Sequence, residues 1–436
     1  MCSSDLDEMS KAVEFIGDEY QPLFLRERQS ILLRKLMDRL QEYSCFYQKK
    51  LQRAGISFDD IKSIDDIKYL PFTEKDELRQ EEALALMAAP ESEIVRIHST
   101  SGTTGKPVVV PYTRKDVDDW AQMMERCMRI VGLQNSDRVH ITPGYGLWTA
   151  GIGFQTGCER LGAMAIPMGP GNTDKQLAML VDLQATVLIG TASYGLLLAE
   201  EAKKRGIADQ LKLRKAIFGS ERWGEKMRTR MEEILGLETY DIYGLTEIYG
   251  PGIGIDCDLH SGIHYFPDYI YCEIIDPETG EILPPGQLGE LVVTTLAKEG
   301  MPLLRYRTRD LTYLSPQPCK CGLPYPQMGR ILGRSDDTVK IKGVNVYPGQ
   351  VEDVIRMTPG LSSEYQMIIN REAGKDSVLI RVEEDPEHNY PGAAKEFKHN
   401  IKAVINIIAD VEVTSYQTLP RSEKKSKRVF DRRNLD

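Results

Sequence analysis

HSTSGTTGKP, residues 98–107, follows an apolar run and packs two glycines, three threonines, two serines and a lysine into ten positions. Side chains this small and polar cannot build a core, so the segment must serve something other than packing. A Walker phosphate loop would need glycine at position 100, which is Thr100, and serine or threonine after the lysine, which is Pro107. The flanks differ as well. A Walker loop opens a helix, whereas EIVRIHS (93–99) and PVVVPYT (107–113) are rich in β-formers, so this loop is expected to join two strands. Gly102 and Gly105 let the backbone N–H groups of such a turn converge on an anion. The hydroxyls of Ser99, Thr100, Ser101, Thr103 and Thr104 add donors, and Lys106 adds a point charge.

On the N-terminal side, residues 6–55 read as helical with a stop at Gly55, and PFTEKDEL (71–78) reads as a turn into a helix capped by Thr73. On the other side, strands and helices alternate. KDVDDWAQMMERCMRIV (115–131) is helical, DRVHITP (137–143), MAIPMG (164–169), ATVLIGT (185–191) and KAIFGSE (215–221) are strands, and helices start at Thr173 and cover 195–205. This order predicts an α/β fold with a mostly parallel sheet covered by helices. The character changes near residue 250: residues 269–296 read as strand, turn, strand, which predicts a small β subdomain at about 255–330. The last hundred residues give a βαββαβ order, a small α+β domain. The boundary is placed in GRSDD (333–337), so the domains are expected to be 1–335 and 336–436.

The chain has 436 residues, 41% hydrophobic and 28% charged, with a net charge of −10, which argues against a protein that coats nucleic acid. No stretch approaches the ~20 apolar residues of a membrane span, and the acidic N-terminus lacks an apolar signal region. A cytoplasmic protein without nucleic-acid or membrane partners is therefore expected; a homodimer stays open. Eight cysteines are too few for a disulfide scaffold, and only Cys319-Lys-Cys321 is clustered. With Cys257 and His264 some sixty residues earlier, these thiols match the three-cysteine, one-histidine set of a closed zinc site. His260 is the alternative histidine, and a group of reduced core thiols is the alternative reading.

The loop resembles the phosphate loop of the adenylate-forming, acyl-CoA synthetase-like superfamily. Four later stretches resemble that superfamily's motifs in order: Tyr243-Gly-Leu-Thr-Glu247, Tyr306-Arg-Thr-Arg-Asp310, the hinge segment 330–348, and Leu419-Pro-Arg-Ser-Glu-Lys-Lys-Ser-Lys-Arg428. The short chain, RYRTRD, GVNVYP and LPRSE are most similar to the phenylacetate–CoA ligase branch. Arg309 and Lys424 stand at usual glycine positions, and Ser220 and Arg222 replace the Ala and Pro of the branch's Ala-Glu-Pro.

The resemblance implies an ATP- and Mg²⁺-dependent aryl-acetate–CoA ligase acting on a small aromatic carboxylic acid through an acyl-adenylate, with coenzyme A as co-substrate. Loading a carrier protein, or nucleotide binding without catalysis, are the alternatives. Glu247 is implied as the Mg²⁺ ligand, Thr246 as an α-phosphate donor, Asp310 as the ribose acceptor and Arg334 as a ribose or phosphate contact; Tyr243 and Gly244 complete the nucleotide motif, with Gly219, Ser220 and Glu221 near adenine. Counting five from Pro420 and three back from Arg428 gives Lys425 as the catalytic lysine. Asp336 aligns with the hinge, and Gly343 with the pantetheine channel. The stretch Tyr145-Gly-Leu-Trp148 offers flat side chains for a planar ring, with Ile248, Gly250 and Pro251 as the facing wall. His264 is preferred over His260 because Gly-Ile-His264 resembles a branch Gly-Leu-His.

Overall fold

The computed structural model describes residues 22–100, 106–337, 339–341, 344–372, 375–388, 390–420 and 428–433. The chain packs as two compact units, one comprising Met1–Gly169 with Tyr240–Arg330 and the other Pro170–Thr239 with Ile331–Asp436.

In the first unit, the helices Pro22–Tyr43 and Cys45–Ala54 meet at Ser44, whose hydroxyl caps the second by accepting from Tyr47 N. Gly55, in the left-handed conformation (φ 68°), ends that helix at the position read from sequence. Leu33, Leu36, Met37 and Leu40 repeat at helical spacing and lie in one core with Tyr47, Leu51, Ile64, Ile67 and Leu304. The helix Lys75–Gln80 starts one residue later than expected, with Glu74 rather than Thr73 at its N-cap. Thr73 is instead wholly buried, donating its hydroxyl to Leu304 O at 2.7 Å and lying 3.0 Å from Tyr47 Oη.

The strands Ile94–Ser99 and Val109–Thr113 pair antiparallel, so the threonine-rich segment does link two strands. The helix Arg114–Ile130 follows, its N-terminus closed by reciprocal Thr113 and Asp116 bonds. The strands Arg138–Ile141 and Met164–Pro167 are parallel and are connected through the helix Ala150–Leu161. Strands Glu238–Leu245, Gly250–Asp256, Ile263–Tyr265 and Gln327–Met328 pair antiparallel in succession. The β subdomain is an antiparallel set of Ile270–Ile275, Gly289–Thr295 and Tyr306–Thr312.

In the second unit, the parallel strands Val187–Gly190 and Lys215–Gly219 are joined through the helix Ala192–Lys204, and the helix Glu225–Leu235 follows. The C-terminal module runs helix Pro348–Met357, strands Leu361–Glu372 and Lys375–Glu384, helix Ala393–Val404 and strand Asp410–Thr414, as the sequence predicts. Its sheet gains an unforeseen member, Val429–Asp431, parallel to Met367–Ile369. Val351, Val354, Tyr365, Met367, Ile380 and Phe397 lie in its core. The fold is mixed α/β, and among the described residues no helix is long and apolar enough to cross a membrane.

Candidate active site

Alternation along the strand Tyr306–Thr312 sorts its charges onto two faces. Just before and along it, Arg305, Arg307 and Arg309 point toward acids: Arg305 forms a buried fork with Glu273 (3.0 and 2.9 Å), and Arg307 forms another with Glu290 (both 2.9 Å). Arg309 reaches Glu74 and, at 3.5 Å, Glu290. Its φ of 69° explains why glycine is usual there, and the two carboxylates hold arginine in that left-handed conformation. The even-numbered residues face the other way. Tyr306 Oη donates to Glu247 Oε1 at 3.2 Å, and Asp310 Oδ2 accepts from Tyr243 Oη at 2.5 Å. Burial, then the neighbouring Asp310, holds the Tyr243 phenol well above its ordinary pKa, so it remains a donor.

Glu247 is buried, and its Oε1 also takes an ion pair from Lys75 Nζ at 2.8 Å. The adjacent Thr246 hydroxyl lies 3.1 Å from that of Thr149, which ties this turn to the one containing Tyr145 and Trp148. That second turn meets the root of the threonine-rich loop: Leu147 O accepts from Ser99 N at 2.8 Å and lies 3.1 Å from His98 Nδ1. Thr100 Oγ1 accepts from Val108 N at 3.0 Å, and Lys106 Nζ donates to Glu81 O at 2.6 Å. Ser101, Gly102, Thr103, Thr104 and Gly105 lie outside the described residues, as do Gly343 and Lys425.

The nominated acid-pocket residues divide in two. Tyr145 and Trp148 are half-buried at the turn, and Tyr145 Oη is buried with no hydrogen-bond partner among the described residues. Ile248 is fully buried, and Pro251 O accepts from Trp120 Nε1 at 2.8 Å. A Cβ on Gly250 (φ 119°) would lie 2.5 Å from the Trp120 ring, and one on Gly244 would lie 2.0 Å from Gly250 O, so both glycines serve close packing. Trp120, on the helix Arg114–Ile130, is thus an aromatic side chain beneath this wall.

Cys257, His264, Cys319 and Cys321 come together with all four ligand atoms within 4.8 Å of one another. His264 Nδ1 lies 3.0 Å from Tyr325 O, a contact that fixes the proton on that nitrogen and leaves Nε2, 3.4 Å from Cys321 Sγ, as the donor atom. His260 instead pairs with Asp256 at 2.9 Å.

In the second unit, Gly219 ends a strand and Ser220 takes a left-handed φ of 68°. Glu221 Oε1 accepts from Ser193 N at 2.6 Å, so one carboxylate oxygen caps the helix Ala192–Lys204. Arg334 grips Asp336 through two 2.8 Å bonds, joining the residues read as nucleotide contact and hinge.

Sequence reasoning missed Lys75, Tyr306 and Lys298. Lys298 is fully buried; its ammonium donates to the carbonyls of Ile248 and, at 3.3 Å, Glu247, and sits over the rings of Tyr112 (4.6 Å) and Tyr249 (5.0 Å). Burial pushes its pKa down to about 7 against the pull of Asp116 and Glu247. Asp116 is held by the N–H groups of Glu299 and Gly300, both at 2.7 Å.

The chain matches the family model of AMP-binding enzymes over residues 48–297 and that of the AMP-binding enzyme C-terminal domain over 343–433. It belongs to the AMP-binding enzyme family, the adenylate-forming superfamily of its sequence motifs. Within that family it lies in the phenylacetate–CoA ligase branch. It is 42% identical over 417 residues to a phenylacetate-coenzyme A ligase of Pseudomonas putida, covering 94% of each chain. Identity is 41% to the Escherichia coli K12 enzyme of that name (89% of this chain, 90% of the other) and 38% to the Thermus thermophilus one (94% and 97%). Among solved structures, 2-hydroxyisobutyryl-CoA ligase in its postadenylation state superposes with a TM-score of 0.84 at 27% identity, covering 93% of this chain and 89% of that one.

The Lys298 environment carries a pH signature. An unfolded lysine keeps its proton to about pH 10.4, whereas Lys298 gives it up near 7. The unfolded state binds more protons in that window, so Lys298 adds stability as pH rises and withdraws it as pH falls toward its folded pKa. Relative to Lys298→Met, the wild-type protein should gain in urea midpoint from about pH 7 to about pH 10. A difference that stays flat with pH would contradict the lowered pKa of Lys298.

Proposed function

We infer that this chain is an AMP-forming aryl-acetate–CoA ligase. In the first step the acid's carboxylate attacks the α-phosphorus of ATP and pyrophosphate leaves; in the second the CoA thiol attacks the acyl-adenylate carbonyl and AMP leaves. The observation that carries this reading is the near-full-length identity to several phenylacetate-coenzyme A ligases, 38–42%, in a chain that keeps the motif carboxylates Glu247 and Asp310 buried and hydrogen-bonded.

Both reactants of the first step are anions, so the residues have to neutralise charge and hold them in line. Asp310, which accepts from Tyr243 through Oδ2, is the acceptor for the ribose hydroxyls. Thr246, already hydrogen-bonded to Thr149, donates to the α-phosphate. Residues 99–106 cradle the departing phosphates, with Lys106 as their point charge. Gly219, Ser220 and Glu221 border the adenine, and Arg334 serves the ribose side. The acid's ring lies against Tyr145 and Trp148, with Ile248, Gly250 and Pro251 behind. Glu247 is the residue that would hold Mg²⁺, which supplies positive charge to the phosphates. A buried carboxylate already neutralised by Lys75 fits that role, because the cation it accepts replaces one it has.

Lys425 stabilises charge in the adenylation step, and the domain from 336 onward moves at Asp336 so that CoA enters past Gly343. The Cys257–His264–Cys319–Cys321 set fits a structural Zn²⁺ by donor chemistry and by the tautomer that Tyr325 imposes on His264. The free thiols of Cys127, Cys158 and Cys272 accord with a cytoplasmic setting.

Scored for CoA-dependent AMP release, a panel of phenylacetate, indoleacetate, benzoate and short fatty acids should favour the aryl acetates; turnover confined to the fatty acids would refute the assignment. Lys425→Ala should nearly abolish adenylate formation while sparing thioester formation from supplied acyl-adenylate, and equal loss of both would refute its role. Protein purified without chelator should carry about one equivalent of zinc, and Cys321→Ser should lose most of it. Metal content that is negligible in the wild type would count against the site.

A further inference from the structure

Arg222, which stands where the branch pattern has proline, sends its side chain across to the helix Pro348–Met357. Its Nη2 donates to Gly349 O at 3.0 Å and lies 3.9 Å from Asp353, while its Nε is 3.4 Å from Glu352 Oε2. Nη1 is buried without a hydrogen-bond partner among the described residues, and a Cβ on Gly349 would lie 1.5 Å from it. The guanidinium therefore fills the space that a side chain at 349 would take.

The contact does not stop at Glu352. Its other oxygen, Oε1, accepts from Tyr365 Oη at 3.3 Å and lies 4.0 Å from Arg428 Nε. Arg428 in turn pairs with Glu364 at 3.1 Å and lies over the Tyr365 ring at 5.0 Å. Its carbonyl accepts from Met367 N at 2.8 Å, so Arg428 is fixed to the central strand of the C-terminal sheet. One half-buried carboxylate thus lies between two guanidiniums. One belongs to the stretch that borders Gly219–Glu221; the other closes the lysine motif. A partly shielded charge of this kind is costly to leave unpaired, so each partner constrains the position of the others.

Neighbouring cations reinforce the contact. Lys226 Nζ donates to Thr358 O (2.8 Å) and Leu361 O (2.5 Å), just past the end of the same helix. Arg230 and Lys203 converge on Glu387 at 2.7 and 2.8 Å, and Gln417 donates to Glu200 at 2.8 Å. These are peripheral or partly exposed, and none of the pairs just named involves Glu352, which Arg222 reaches.

We propose that Arg222 is a positioning residue for adenylate formation: through Glu352 it fixes the helix Pro348–Met357 and Arg428 in register with the base-side stretch. This rests on the reading that the lysine motif serves the first half-reaction. Thioester formation needs no such register, so the two half-reactions should separate.

The test measures single-turnover pyrophosphate release and, separately, thioester formation from supplied acyl-adenylate in the full-length enzyme. Arg222→Met should slow the first by about 10- to 100-fold with little change in KM for ATP or acid, and leave the second within about twofold. Glu352→Gln, which keeps the volume, should reproduce the split, and Arg222→Lys should recover part of the rate. In a Lys425→Ala background Arg222→Met should add nothing, because both act on one step through one segment. Equal slowing of both half-reactions, a raised KM for ATP at unchanged kcat, or no effect would each overturn the proposal. If Lys425→Ala alone spares adenylation, the reading of the lysine motif fails and the proposal falls with it. If Lys425→Ala abolishes adenylation while Arg222→Met is silent, only the proposal falls.

Discussion

The two-faced strand Tyr306–Thr312 organises the first unit. An arginine cannot be buried without a carboxylate beside it, and this segment presents three of them in alternation. Glu290 lies on the adjacent strand of the β subdomain, Glu273 on the strand beyond it, and Glu74 caps the helix Lys75–Gln80. Arg305 also donates to the carbonyls of Lys68 and Leu70, so the N-terminal segment is fastened to the same sheet. With one face fixed this way, the opposite face has little freedom in where it puts Tyr306 and Asp310. Their partner Tyr243 lies on a strand of a different sheet and Glu247 in the turn that follows that strand, so these hydrogen bonds join the two.

A second layer of order comes from beneath. Lys298 binds the carbonyls of Glu247 and Ile248, while Asp116 binds the N–H groups that follow the lysine. The turn that carries Glu247 is therefore held through its backbone from one side and through its carboxylate from the other. Rigid support of this sort is what a site needs if charge is to meet preformed dipoles rather than drag them into place.

Much of this was legible from sequence because it is local or periodic. The strand–loop–strand reading of residues 94–113 rests on β-formers around a polar turn, and the C-terminal element order rests on hydrophobic period. The Cys257, His264, Cys319 and Cys321 grouping was readable because thiols and imidazole are rare enough to stand out. Lys75 and Lys298 were not readable. Lysines are common on surfaces, and nothing local marks one whose carboxylate or carbonyl partner is far along the chain. The capping error at Thr73 has the same origin: a threonine before acids fits a helix start, but its hydroxyl is claimed by Leu304. Arg309 stood out as a departure from pattern, yet only the positions of Glu74 and Glu290 show what stabilises it. Val429–Asp431 is too short for periodicity to reveal and depends on a neighbour supplied by the fold.

The pairing of Lys75 with Glu247 has one more implication. An acid kept in a low-polarity recess would ordinarily have to choose between protonation and instability whenever nothing else is bound. Here an endogenous ammonium acts as a stopper. A cation that took the place of that ammonium would bring charge of the same sign to the recess, and the freed amine, still anchored at the start of its own short helix, would stay within reach of an accompanying anion.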